Sequence, residues 1–193
     1  AAGAALEQIC RLTGTLRPPA TYSAVTLTLT GDDTTVVPIS RKLVTLSTSI
    51  EFTTDSAAPV TINVVDPWAV ATAYVVGDRV THTDSVYQCI TAGTSHATDG
   101  PIGPPDFNDP DTNAVQAFSD ILDGTAHWIY LGPGDAAVDV TAQATETGPK
   151  VAVAYDIRGE DAIVDVVSGW RGVINLLDAS VGNDAATDAD LRI

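Results

Sequence analysis

Aromatic residues, the side chains best suited to stacking on sugar rings, are concentrated in one part of the chain. Aromatic faces bind the apolar faces of pyranose rings, while carboxylates and amides hold the hydroxyls. We take Tyr74, Phe107 and Phe118 as the candidates for glycan contact. The alternative is that all the clustered aromatics are core residues. The aromatics between residues 66 and 132 are Trp68, Tyr74, Tyr87, Phe107, Phe118, Trp128 and Tyr130.

Acidic and amide residues between Asp109 and Asp120 are spaced partly like a calcium-binding loop. Asp109, Asp111 and Asn113 hold the first, third and fifth positions of a stretch that ends at Asp120. Ca²⁺ prefers such clustered oxygen ligands. However, the sixth position is Ala114, where the loop requires glycine, and the flanking sequence is not helical in pattern. We therefore interpret the stretch as a solvated acidic loop and expect no bound metal.

The histidines His82, His96 and His127 are the natural candidates for acid–base chemistry. The sequence contains no serine–histidine–aspartate order with a nucleophile elbow and no HExxH pattern. It also lacks a glycine-rich phosphate-binding pattern, and "GPGD" at residues 132–135 is typical of a turn between elements. We predict exposed strand positions for His82 and His127, no enzymatic activity and no cofactor.

The charge of the chain restricts its partners. It carries 25 acidic residues against 9 lysines and arginines, a formal net charge of −16. Such a surface repels phosphate backbones and anionic lipids, so neither nucleic acid nor a membrane is expected as a partner. A partner protein with a basic surface would complement this negative charge. No apolar run approaches the ~20 residues that span a bilayer, and no signal peptide is visible.

The elements that position these residues are predicted to be mainly β-strands. Residues 22–31, "YSAVTLTLTG", alternate valine and leucine with threonine, which predicts a strand with one buried face. Before it, the spacing of Leu6, Ile9 and Cys10 predicts a short N-terminal helix over residues 4–13. Further strands are predicted in "KLVTLSTSIEFTTD", "APVTINVV", "AAVDVTAQAT", "GPKVAVAYDI" and "DAIVDVVSGW".

Composition divides the chain into three segments. Residues 66–131 hold the clustered aromatics and a loop rich in proline and glycine at 98–113, whereas residues 1–65 and 132–193 share threonine-rich alternating patterns. We infer a discontinuous, sandwich-like β domain formed by 1–65 and 132–193, with residues 66–131 inserted as a small β domain. The cysteines, Cys10 and Cys89, then fall in different units, and we expect two reduced, buried thiols.

The two outer segments resemble the baseplate J-like family of contractile-tailed phages and related injection systems. The resemblance is carried by "LTGTLRPPATYSAVTLTLTG", "VTAQATETGPKVAVAYDI" and "SGWRGVINLLDASVGNDAATDADLRI". It implies a structural component of a baseplate wedge in the virion, assembled in the bacterial host cytoplasm and acting through contacts with other baseplate or tail proteins. Because the chain contains no methionine, we expect a fragment of such a component.

The middle segment resembles the family 5/12 carbohydrate-binding modules of chitinases and many phage tail proteins. The resemblance implies that Trp68, Tyr87 and Trp128 fill the core of a small module. Where the sugar-binding members carry exposed tryptophans, "CITAGTSHATDG" has no aromatic residue. Attachment to a cell-surface or chitin-like polysaccharide is thus the alternative function. The residues that carry the resemblance are Trp68, Tyr74, Gly77–Asp78, Val80, Tyr87, Gly93–Thr94, Asp123–Gly124 and Trp128–Gly132.

Overall fold

The computed structural model describes residues 18–103 and 118–185, and within these ranges the chain is mainly β. The helix predicted over residues 4–13 lies outside the described ranges. No helix in the described part of the chain is both long and apolar enough to cross a membrane. The strands are β1 Tyr22–Gly31, β2 Val36–Val37, β3 Lys42–Val44, β4 Glu51–Thr54, β5 Val60–Thr61, β6 Asn63–Val64, β7 Ala73–Tyr74, β8 Arg79–Thr81, β9 Ser85–Thr91, β10 Gly93–Thr94, β11 Ile121–Asp123, β12 Ala126–Pro133, β13 Ala136–Thr147 and β14 Trp170–Ile174.

The larger sheet has six strands and joins parts of the chain that are far apart in sequence. Its order is β14-β1-β13-β4-β3, and β6 also pairs with β13. β1 lies between two antiparallel partners, with Leu27 opposite Val140 on β13 and Leu29 opposite Val173 on β14. Strands from both sides of the aromatic segment therefore form one hydrogen-bonded sheet. A sandwich-like arrangement with an inserted domain at 66–131 stays a prediction.

The smaller sheet has four strands, in the order β11-β12-β9-β8, and a separate two-stranded ribbon joins β7 to β10. On β12, Trp128 faces Cys89 of β9 and Tyr130 faces Tyr87. Cys89 is buried and unbridged, in agreement with the expected buried thiol. Cys10 lies outside the described residues.

Two hydrophobic cores hold these sheets. The first core packs the apolar residues of the larger sheet, among them Leu27, Leu43 and Phe52, which have no exposed surface. The second core belongs mainly to the smaller sheet, but it includes Ala137 of β13 and Ile174 of β14. The two sheets are therefore in apolar contact where β12 runs into β13.

β1 confirms the predicted alternation in part. It departs from the alternation where tertiary contacts bury some of its threonines. Val25, Leu27 and Leu29 are buried, as predicted, but Thr28 and Thr30 are buried as well. Thr28 donates a hydrogen bond to Asp139 on the neighbouring strand, with 2.7 Å between the two oxygens. Thr30 lies under the end of β12, so both faces of this half of the strand are covered.

The strands predicted in "GPKVAVAYDI" and "DAIVDVVSGW" are wrong for most of their length, because residues 148–169 contain no named strand. Hydrogen bonds between side chains and the backbone of this segment take the place of the expected strand pairing. Asn175 donates to the carbonyl oxygens of Val153 and Leu177 and accepts from the amide of Ile157. Asp178 accepts from the amide of Ala154. With these groups satisfied locally, a β-branched composition is compatible with an irregular segment.

Candidate functional site

A cleft of about 900 Å³ lies between the smaller sheet and the larger sheet. One side is formed by the segment that runs from β7 to β9, and the other by β1, β13 and the residues after β14. Its volume falls in the range of sites that hold small organic ligands, roughly 300–1,000 Å³. The side chains that could bind or orient a polar ligand there are Asp66, Tyr74, Asp78, Arg79, Gln88 and Asp139.

Arg79 joins the two sides of the cleft. Its Nη2 donates to both carboxylate oxygens of Asp139, at 2.8 and 2.9 Å, and its Nε donates to Oε1 of Gln88 at 3.0 Å. Asp139 also accepts from Thr28. Charge-assisted hydrogen bonds of this kind are stronger and more directional than neutral ones. The guanidinium therefore links β8 and β9 to β1 and β13 in one network.

A turn at Val75–Asp78 forms the rim of the cleft. The amide of Asp78 donates to the carbonyl of Val75, and Oδ2 of Asp78 accepts from the amide of Val75 at 2.8 Å. Gly77 has a φ of 97°, a conformation that favours glycine. Gly77–Asp78, part of the family resemblance, therefore lies in a tight turn. The strands on either side, β7 and β8, pair with β10 and β9 and not with each other.

Tyr74, one of the predicted glycan contacts, lines this cleft and is half-buried. Its ring packs edge-on against Trp128, with 4.9 Å between the centroids. Its hydroxyl accepts from the amide of Ala69 at 2.8 Å. The ring is therefore held in place at the cleft wall before any ligand arrives.

The other aromatics of the segment are mostly enclosed. Trp128 and Tyr87 are buried in the second core, and Trp68 packs against it. Tyr87 meets Tyr130 edge-on, with 5.6 Å between the centroids. Burial raises the pKa of Tyr130 to about 12, so this hydroxyl stays neutral in ordinary buffers.

Trp68 is tied to a residue much later in the chain. Its indole Nε1 donates to Oδ2 of Asp123 at 2.8 Å, and Oδ1 of Asp123 accepts from the amide of His96 at 2.7 Å. Asp123 is buried, so its carboxylate is a fixed double acceptor. The ring of His82 lies edge-on to Trp68, 5.2 Å away between centroids, and His82 is half-buried.

The remaining predicted site residues do not meet in the cleft. Phe118 has no exposed surface, and its ring packs against Tyr155 and under the guanidinium of Arg158. Its faces are covered by protein, so it has no part in the site described here. Phe107 lies outside the described residues.

The first three positions of the calcium-like stretch also lie outside the described residues. Its last residue, Asp120, pairs with Nδ1 of His127 at 2.6 Å. His127 lies on β12, as the sequence predicts, but it is half-buried and not exposed. His82 is also half-buried and lies just after the end of β8. Within residues 18–103 and 118–185, no group of three or more His, Cys, Asp or Glu residues is placed to hold a metal ion.

The sequence patterns missed the polar residues of the cleft. Arg79 and Gln88 are nine positions apart and meet because they are opposite each other in the β8–β9 register. Asp139 is 60 positions from Arg79, on a strand of the other sheet. The only sequence signal near them is the Gly77–Asp78 turn, which fixes where β8 begins.

Comparison with known families bears on one side of this cleft. Residues 67–101 match the carbohydrate-binding module family 5/12. The matched segment contains Tyr74, the rim turn, Arg79 and Gln88, which together make the smaller-sheet side of the cleft. The matched segment ends before Asp123 and β12, although Asp123 accepts a hydrogen bond from Trp68 and β12 pairs with β9. No curated protein matches the chain.

Proposed function

We propose that this protein binds a glycan in the cleft between its two sheets and does not cleave it. The observation that carries the proposal is the coincidence of the family match with the cleft wall. The segment that resembles carbohydrate-binding modules is the same one that presents Tyr74, Asp78, Arg79 and Gln88.

The chemistry of the wall suits a sugar. Tyr74 offers a fixed aromatic surface for the apolar side of a pyranose ring. Asp66 and the second oxygen of Asp78 are acceptors for sugar hydroxyls, and the amide of Gln88 offers a donor beside Arg79. Such convergent polar groups around one aromatic surface are typical of small-ligand sites.

The charge of the cleft indicates which glycans it would accept. Three carboxylates, from Asp66, Asp78 and Asp139, line the cleft together with a single guanidinium, Arg79, which already pairs with Asp139. The chain as a whole carries a net charge of −16. We therefore propose an uncharged or amino-bearing polysaccharide, such as a cell-surface or chitin-like polymer, in preference to an acidic one.

The test is a titration of the full chain with chito-oligosaccharides and a panel of bacterial envelope glycans, followed by calorimetry and tryptophan fluorescence. Tyr74→Ala should weaken binding at least about tenfold through loss of the stacking surface. Tyr22→Ala is the matched control, because Tyr22 is exposed at the start of β1 and does not line the cleft. A flat titration across the whole panel would remove the proposal.

Binding without catalysis is part of the same proposal and needs its own test. Each ligand that binds is incubated with a large amount of the protein and then analysed by mass spectrometry. We expect the oligosaccharide to remain intact. Shortened products that require this protein would contradict a purely binding role.

The role in a contractile-tail baseplate, with tail proteins as partners and the virion as location, stays a prediction of the sequence resemblance of residues 1–65 and 132–193. Neither the cleft nor the family match bears on it. Mass spectrometry of purified virions tests it directly, since the parent gene product should be present among the tail proteins.

A further inference from the structure

We propose that the larger sheet and the segment after β14 supply the second half of the glycan site, so that Thr26, Asp139 and Leu177 contact the same ligand as Tyr74 and Gln88. This inference rests on the proposed function and extends it to residues outside the matched segment 67–101. The binding site would then be shared between two parts of the chain, and neither part would hold the ligand with full affinity alone.

These residues lie on the opposite side of the cleft from the matched segment. Thr26 is exposed on β1, and Asp139 lies on β13 opposite Thr28. Both line the cleft across from Tyr74 and Gln88. A ligand that fills the cleft and lies on Tyr74 therefore also faces the larger sheet.

The side chains on this side of the cleft have the chemistry to contact a sugar. Among the described residues, the hydroxyl of Thr26 has no hydrogen-bond partner, so it is available to a sugar hydroxyl. Leu177 is 72% exposed at the edge of the cleft. An exposed leucine beside a polar cleft is suited to the apolar face of a sugar ring. Carboxylate oxygens accept several hydrogen bonds each, so Asp139 can bind a ligand while it holds Arg79.

Ion pairs and apolar contacts hold together the two sheets on either side of the cleft. Besides the pair between Arg79 and Asp139, Arg171 on β14 donates to both carboxylate oxygens of Asp84, at 2.9 and 2.7 Å. Asp84 lies between β8 and β9, so this second pair also spans the two sheets. Ala137 and Ile174 add apolar contact. The two ion pairs and the shared core hold the cleft walls together before binding, and such preorganisation favours affinity.

The experiment changes only the larger-sheet wall of the full chain and uses the tightest-binding oligosaccharide of the panel. Thr26→Arg places a long side chain in the cleft and should weaken binding at least about tenfold. Thr26→Val removes only the hydroxyl and should weaken it by about two- to fivefold. Thr147→Arg is the matched control, because Thr147 is exposed on β13 away from the cleft, and it should bind like the wild type.

Leu177→Ala tests the apolar edge in the same way. We expect binding to weaken by about three- to tenfold. Val166→Ala is its control, since Val166 is 80% exposed and does not line the cleft. Thermal unfolding of every variant shows whether it is folded. If Thr26→Arg does not fold, Thr26→Val still tests the contact.

The outcomes separate this inference from the proposed function. If the wild type binds, Tyr74→Ala loses binding, and the Thr26 and Leu177 variants bind within twofold of the wild type, then the ligand contacts the matched segment alone and the inference is overturned. If the wild type binds no glycan, the proposed function fails and the shared site fails with it. Weakening by the larger-sheet variants, with normal controls, supports the shared site.

Discussion

Replacing Asp123 with asparagine should destabilise the protein strongly, although the two side chains have nearly the same shape. Asp123 is 3% exposed and accepts two hydrogen bonds, from the indole of Trp68 and from the amide of His96. An asparagine accepts only through its oxygen, so its NH₂ group must face one of these donors.

The size of the effect follows from those two contacts. A hydrogen bond to a charged acceptor contributes about 1.5–3 kcal/mol, and a buried donor left without an acceptor costs a similar amount. Because Trp68 is only half-buried, its indole can recover part of its loss from water. We therefore expect Asp123→Asn to lower the free energy of unfolding by about 2–3 kcal/mol, a large part of the 5–15 kcal/mol typical of a domain.

The assay is urea unfolding of the full chain, followed by tryptophan fluorescence and circular dichroism. Asp99→Asn is the matched control, because the side chain of Asp99 is 81% exposed, and it should change stability by less than about 0.5 kcal/mol. If Asp123→Asn also changed the free energy of unfolding by less than about 0.5 kcal/mol, the reasoning would be refuted. It would mean that Asp123 does not fasten the matched segment to β11 and β12.

Three further changes test other parts of the structure. Gly132→Ala brings a Cβ into a clash with Oγ1 of Thr30, and denaturant unfolding should show a loss of at least about 2 kcal/mol, whereas a neutral result would contradict the close approach of β12 to β1. The Arg171 guanidinium lowers the pKa of Asp84. This pair therefore stabilises the fold fully at pH values above the ordinary pKa of an aspartate, and the stabilisation is lost as the pH falls through the lowered pKa. The difference in melting temperature between the wild type and Asp84→Asn should therefore shrink below about pH 4, and a constant difference down to pH 2 would contradict the pairing. Burial raises the pKa of the Cys89 thiol, so in a Cys10→Ser background native protein should react with a thiol reagent at pH 8 far more slowly than unfolded protein, and equal rates would contradict its burial.

The sequence predicts the mainly β fold because alternation and β-branched residues are local properties. β1 shows the limit of that reasoning. Its first half alternates as expected, but Thr28 and Thr30 are buried by strands that follow more than a hundred residues later. Residues 148–169 show the opposite error. Their composition favours strands, but the side chains of Asn175 and Asp178 satisfy backbone hydrogen-bonding groups there, so strand pairing is not needed.

The candidate site could be predicted only in part for a related reason. Tyr74 and the turn at Gly77–Asp78 are visible as a local motif. Arg79, Gln88 and Asp139 are ordinary polar residues in the sequence, and only strand register and the packing of the two sheets bring them together. Phe118 is a candidate by residue type, but its side chain is fully buried, and burial depends on neighbours in space that the sequence does not show.

The most direct test of glycan binding in the cleft is a residue-resolved titration. ¹⁵N-labelled full chain is titrated with chito-oligosaccharide, or with whichever glycan of the panel binds, and amide shifts are mapped by NMR. We predict that the largest shifts fall on Thr26, Tyr74, Asp78, Gln88 and Leu177, on both sides of the cleft. Saturating shifts confined to another surface, or none with any glycan, would contradict the account.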